Sequence, residues 1–208
     1  MAVETGHDDG RLLLRAGRVT LREHTAEDAA ELMDYQSCGL VWIDGVPGAE
    51  TAGAAGMTVR AAVEGLHRPP WGMFAILRSH DLTALGTIGF HGPPDDGGMV
   101  EIGYDLSVSA RGAGWATDAA RLLTSWALGE PGVVTVLATT QPGNLPSQRV
   151  LERTGFTRVA DRDPLWAYEL TAATGPAPTG QIPTQGLAPA PDPFNAGRRH
   201  PRFRRPGR

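Results

Sequence analysis

The chain has 208 residues, a formal net charge of −4, 41% hydrophobic residues and one cysteine. That length suits one domain with appendages. Cys38 has no partner for an intramolecular disulfide, no Cys/His cluster has zinc-ligand spacing, and no apolar run approaches the roughly 18 residues of a membrane span. All nineteen basic residues are arginine, which excludes a lysine Schiff base, a catalytic lysine and a P-loop lysine.

The opening residues, MAVETGHDDGR, are acidic and polar and lack the apolar centre of a signal peptide. Residues 1–10 read as a flexible end, and a reducing, cytoplasmic location is expected. Residues 18–24 (RVTLREH) alternate as a half-buried strand, with Val19 and Leu21 on one face. Thr25 followed by Asp28 resembles a capping box at the start of a helix. A second helix, in two pieces, is expected within residues 50–67, its apolar stripe formed by Met57, Val59, Val63 and Leu66.

WGMFAILR (71–78) and TALGTIGF (83–90), joined by a short polar link, predict an antiparallel hairpin. MVEIGYDLS (99–107) predicts another strand, with Val100, Ile102, Tyr104 and Leu106 on one face and Glu101, Gly103 and Asp105 on the other. VVTVLATT (133–140) is a near-continuous β-branched run, as in a strand covered on both faces. A helix follows from about Leu145 to Thr154, capped by Asn144, and FTRVA and LWAYEL give two closing strands. The order implies an α/β (α+β) fold with a mixed sheet and helices on its faces, not a doubly wound parallel one.

Beyond residue 172 the composition changes. Residues 174–208 contain eight prolines and five glycines, too little apolar surface to offset the entropy of ordering. The expected organisation is a flexible end (1–10), a folded domain (11–172) and a disordered Pro/Gly/Arg-rich tail (173–208). Six arginines against one acid give the tail a net of +5, which leaves −9 on the rest of a chain totalling −4. An acidic body favours cationic partners such as amines and disfavours nucleic acid, although the arginine-rich end could touch an acidic surface.

The stretch ARGAGWATDAARLL (110–123) runs from small residues into an alanine-rich helix. The first N–H groups of a helix lack partners and carry partial positive charge, so bare backbone at Gly112, Ala113 and Gly114 suits either a phosphate or a plain tight turn. It is not a P-loop, since no Gly-Lys-Ser/Thr follows, and Thr117 stands where the dinucleotide fingerprint needs a small residue.

Arg111-Gly112-Ala113-Gly114-Trp115-Ala116 matches the Arg/Gln-x-x-Gly-x-Gly/Ala pattern of the GNAT N-acetyltransferases. Asn144-Leu145-Pro146-Ser147-Gln148-Arg149-Val150-Leu151-Glu152-Arg153-Thr154-Gly155-Phe156 resembles a segment of the branch that includes ribosomal-protein N-terminal-amine acetyltransferases. Glu101-Ile102-Gly103-Tyr104 and Val19-Thr20-Leu21-Arg22 are similar to two strands of that branch, and the resemblance spans about residues 15–170.

The resemblance implies a mostly antiparallel sheet that splays between two central parallel strands, and acetyl-CoA as cosubstrate with no metal. Backbone amides of Arg111, Gly112, Ala113, Gly114, Trp115 and Ala116 would hold the pyrophosphate. Backbone groups of Leu106, Ser107 and Val108 would hold the pantetheine, with Asn144 contacting it as well as capping its helix. Glu101 is the leading base for the amine, directly or through water, with Asp105 on the same face as a weaker substitute. Ser147 is the candidate for bonding or protonating the departing sulfur, because Leu151 stands where many relatives have tyrosine.

His91, Trp42, Trp71 and Trp115 are lesser candidates for the acceptor cleft, and Cys38 reads as a small buried residue. The acceptor would be a peptide or protein α-amine, a small amine metabolite or an amine antibiotic. No membrane partner is expected, and a homodimer is common in the family though no sequence feature compels one. A non-catalytic acyl-CoA-binding regulatory protein with the same fold is the alternative.

Overall fold

The computed structural model describes residues 2–172. They form a nine-stranded sheet ordered β1-β2-β3-β4-β5-β6-β7-β9-β8. The strands are β1 (Glu4–Asp8), β2 (Arg11–Ala16), β3 (Val19–Glu23), β4 (Met73–Arg78), β5 (Ala84–Phe90), β6 (Met99–Leu106), β7 (Thr135–Thr140), β8 (Thr157–Arg158) and β9 (Trp166–Thr171). Every neighbouring pair is antiparallel except β6–β7, which is parallel. The helices are α1 (Ala26–Met33), α2 (Ala49–Val63), α3 (Trp115–Ala127) and α4 (Leu145–Thr154).

The sheet is covered on both faces, and β4 shows how. Phe74 and Ile76 join Val19, Leu21, Ile88 and the α3 residues Ala119, Ala120, Leu122 and Leu123 in one core. Met73, Ala75 and Leu77 point the other way and pack with Ala29 and Leu32 of α1 and Ala55 of α2. A period-2 side-chain pattern in a strand between two helical layers requires this double burial. Trp71, Phe90 and Trp126 form an aromatic cluster in the first core, with ring centroids 4.9–5.9 Å apart. Trp42 lies buried in the second, its indole N–H bonded to the Ser37 carbonyl. Of the three tryptophans expected near an acceptor cleft, Trp42 and Trp71 are therefore packing residues.

The capping box at α1 forms: Thr25 Oγ1 accepts the Asp28 N–H at 3.2 Å and Asp28 Oδ2 accepts the Thr25 N–H at 3.0 Å. Asp28 also receives two bonds from the Arg11 guanidinium, which tie β2 to the helix. Beside it, His24 is fully buried, its Nδ1 3.7 Å from Asp28 Oδ2 and 3.9 Å from the Cys38 sulfur.

Two expectations need correction. The second helix is one piece, and its expected stripe mostly misses the core: Met57 and Val63 are exposed, Leu66 is exposed beyond the helix and only Val59 packs partly buried, while Thr51, Ala52 and Ala55 are buried. Small residues let α2 approach closely, with Thr51 Oγ1 3.3 Å from Thr87 Oγ1. Residues 4–8, read as a flexible end, form β1, exposed along its length and paired to β2 through five residue pairs. Backbone pairing, which is blind to side-chain patterning, accounts for a strand that hydrophobic periodicity does not reveal. The expected tail, 173–208, lies outside the described residues.

Candidate active site

The parallel pair β6–β7 is short. Met99, Val100, Glu101 and Ile102 pair with Thr135, Val136, Leu137 and Ala138; beyond them the two strands run on unpaired. A pocket of about 240 Å³ occupies the opening. Its walls are Ile102, Gly103 and Tyr104 on β6 and Ala138, Thr139 and Thr140 on β7, with α4 contributing Asn144, Ser147 and Leu151 and the end of β5 contributing His91.

Bond alternation says which β6 groups face that opening. The His91 N–H bonds the Glu101 carbonyl and the Ser107 N–H bonds the Leu85 carbonyl, so odd-numbered residues of this strand are turned toward β5. Tyr104 and Leu106 therefore direct their N–H and C=O toward the splay. Of the three residues expected to line it through their backbone, Leu106 is turned correctly, although its carbonyl accepts Arg111 Nε at 2.9 Å. The Ser107 N–H is already committed to β5, and its carbonyl accepts the Ala110 N–H. Its hydroxyl is buried without a hydrogen-bond partner among the described residues. Val108 is exposed in the 3₁₀ turn Val108–Ala110.

The glycine-rich loop follows that turn. Gly112 (φ +76°) and Gly114 (φ +82°) both take left-handed backbone that disfavours any side chain. Gly114 caps α3 with no side-chain bond. Among the described residues no acceptor is bonded to the N–H groups of residues 112–116, and no atom lies within 4 Å of where a Gly112 Cβ would be. Such a bare run of amides at a helix start fits an anionic group of pyrophosphate size. Arg18, from the turn before β3, clamps the loop: it bonds the Ala113 carbonyl at 2.7 Å and Asp118 at 2.8 Å, and its guanidinium lies 3.9 Å over the Trp115 ring. Trp115 thus serves as the platform for a cation. No sequence signal identifies Arg18, because its partners lie 95 and 100 residues away.

Asn144 Oδ1 accepts the Ser147 N–H at 3.2 Å, the cap expected of it. Ser147 Oγ sits 2.9 Å from the Tyr104 hydroxyl, which also donates to the Ser147 carbonyl. Burial pushes the Tyr104 phenol up to about 12, so it stays protonated and able to donate. The sequence pattern only sets Tyr104 on the same strand face as Val100, Ile102 and Leu106; in the structure it lines the pocket from β6.

Glu101 Oε1 accepts a 2.8 Å bond from Thr139 Oγ1, and Oε2 lies 3.7 Å from His91 Nδ1. Burial alone would raise this carboxyl, but His91 and Thr139 outweigh it and hold Glu101 below the ordinary glutamate value. Asp105 goes the other way, raised by burial despite Arg111 at 3.2 Å. Cys38 lies in the second core away from this cluster, its thiol pushed up to about 12 by burial, which disfavours the nucleophilic thiolate. Among the described residues no group of three or more His, Cys, Asp or Glu could hold a metal ion, and no helix is long and apolar enough to cross a membrane.

The acetyltransferase (GNAT) domain model matches residues 18–157. Over 81 residues the chain is 38% identical to an uncharacterized N-acetyltransferase, YjdG, of Bacillus subtilis, a match that covers 39% of the chain and 48% of that relative's length. It is 28% identical over 146 residues to the uncharacterized N-acetyltransferase p20 of Bacillus licheniformis, covering 68% of the chain and 80% of the relative. Among solved structures it is similar to RimL, a ribosomal L7/L12 α-N-protein acetyltransferase in complex with coenzyme A. That likeness has a TM-score of 0.54 and 16% identity, and covers 75% of this chain and 95% of that one.

Proposed function

The chain belongs to the GNAT acetyltransferase family, and from that premise we propose that it transfers an acetyl group from acetyl-CoA to a primary amine by direct attack in a ternary complex. The observation that carries the proposal is the opening between β6 and β7, with Ser147 and the His91–Glu101 pair among and beside the residues that bound it. The acetyl thioester supplies the electrophile; the residues of this chain hold it and manage protons.

The backbone of residues 112–116 carries the pyrophosphate, where unpaired amides and the helix dipole meet negative charge, whereas the Arg111 N–H is committed to the Val108 carbonyl. The N–H of Leu106 and the backbone of Tyr104 receive the pantetheine as an added strand would be received. Ser147 donates to the sulfur as it gains electron density, and Tyr104, kept neutral by burial, sits behind it to orient and recharge that hydroxyl. Glu101 anchors the opposite side, where the amine must lose a proton. An amine of ordinary pKa is mostly protonated at neutral pH, so a proton acceptor is needed there.

The acceptor class is a primary amine on a peptide, a protein or a small molecule. The test is a screen of peptides and small amines with acetyl-CoA, read by free thiol and by the mass of the product. Acetylated product from at least one amine is expected. Clear thermal stabilisation by CoA with silence across the whole panel would instead favour an acyl-CoA-binding regulatory protein. In the active enzyme, Ser147→Ala should lower kcat by about 10²-fold, as loss of a proton-transfer group does, with little change in acetyl-CoA binding.

A further inference from the structure

We propose that His91 is the group that takes the proton from the attacking amine, with Glu101 as the positioning carboxylate behind it. This rests on the reading of the site as an amine acetyltransferase.

His91 lines the pocket and Glu101 does not. The Glu101 carboxylate is spoken for on both oxygens, Oε1 by the Thr139 hydroxyl and Oε2 by the near approach of His91 Nδ1. A carboxylate bonded in this way and held below its ordinary value is a poor proton acceptor at neutral pH, but it orients an imidazole well. The main chain reinforces the pairing, since the His91 N–H bonds the carbonyl of Glu101 itself at 2.9 Å. The ring then lies across Gly103: a Cβ there would stand 3.0 Å from His91 Nε2. Gly103 supplies the bare floor over which the ring reaches the opening.

The charged and titratable groups facing the pair are Glu101 on β6, Tyr104 further along the same pocket wall, and Arg162, whose charge acts on Glu101 from the segment before β9. With Nδ1–H directed at Glu101, the lone pair of Nε2 is free. The amine nitrogen forms its bond to the acetyl carbon, the carbon–sulfur bond breaks, and the sulfur leaves with the electron pair. The proton shed by the nitrogen moves to Nε2, and the ring, 45% exposed, returns it to bulk water. The sulfur takes its proton separately at the Ser147 side.

Two readouts test this. In ¹⁵N spectra of the histidine rings, neutral His91 should carry its proton on Nδ1, and Glu101→Ala should move population to the Nε2–H tautomer. With whichever amine the wild type acetylates, His91→Ala should lower kcat by about 10²-fold, a loss expected of a missing proton acceptor, and added imidazole should restore part of it. The KM for acetyl-CoA should stay within about twofold, since His91 is none of the groups assigned to holding that molecule. Gly103→Ala, which crowds the ring without removing it, should cost about tenfold through misplacement. An active wild type whose His91→Ala variant keeps its kcat overturns the assignment while leaving the acetyltransferase reading intact. A wild type silent with every amine removes that reading, and this proposal with it.

Discussion

Two helix starts in this molecule are built in opposite ways. At α1 every device closes the end: Thr25 and Asp28 bond each other's backbone, and Arg11 and His24 crowd the carboxylate. At α3 a left-handed glycine replaces the cap, no side chain bonds the first-turn amides among the described residues, and the Arg18 guanidinium bonds the Ala113 carbonyl and the Asp118 carboxylate. A helix end sealed by its own chain contributes stability, whereas one left unsealed keeps its donors for something else. The same acidic residue type illustrates the split, since Asp28 faces inward to the amides of its helix start while Asp118 faces outward to Arg18.

The largest effect expected from breaking the contrast is at the open end. Gly114→Asp would put a carboxylate where the phosphates are proposed to sit, on backbone of φ +82° and with its Cβ 3.2 Å from Arg18 Nη2. Affinity for CoA, measured by calorimetry, should fall by about a hundredfold, since like-charge juxtaposition costs several kcal/mol. Unchanged affinity would show that this loop does not hold the cofactor.

Acid is the next lever, and it acts at the sealed end. Burial depresses the His24 imidazole, with Asp28 opposing that only in part. The unfolded chain therefore binds a proton there first, and stability should decline as pH falls below about 6.5. For Asp28, burial would raise the carboxyl, but His24, the Thr25 N–H and Arg11 together hold it far below the ordinary range. Its contribution is present above the unfolded value and is lost as pH falls further, below about 4. Denaturant titrations at stepped pH should show both declines, and Asp28→Asn should remove the lower one.

Smallest of the three is Thr25→Ala, which should cost about 1 kcal/mol of folding stability, as N-cap losses do, and leave CoA affinity unchanged. A change in affinity would mean that the two helix starts are coupled.

Local chemistry made much of this legible. Thr25 and Asp28, or Asn144 and Ser147, sit three positions apart, so spacing alone announces their bonds. The glycine loop and α4 could be located for the same reason, and the parallel β6–β7 pair followed from their family resemblance. The contacts that could not be read are long-range ones. Arg18 meets its loop across 95 residues, Thr139 meets Glu101 across 38, and Tyr104 meets Ser147 across 43, with no periodicity linking any of them. His91 is only a lesser cleft candidate in the sequence, and the β5–β6 pairing is what sets it over Gly103. The α2 stripe failed for a different reason: its leading apolar positions are solvent-facing, and alanine and threonine carry the packing.

The parallel pair has a mechanical meaning as well. Strands β1 to β6 form one antiparallel set in chain order, β7, β9 and β8 form a second with β9 in the middle, and within the sheet the two are sewn together by four residue pairs alone. That seam ends where the pocket begins. Any molecule that bonds both lips of the opening adds stitches to this short parallel seam. Amide protons along β7 should then exchange with solvent more slowly once such a molecule is present, recording occupancy of the cleft as a tightening of the fold.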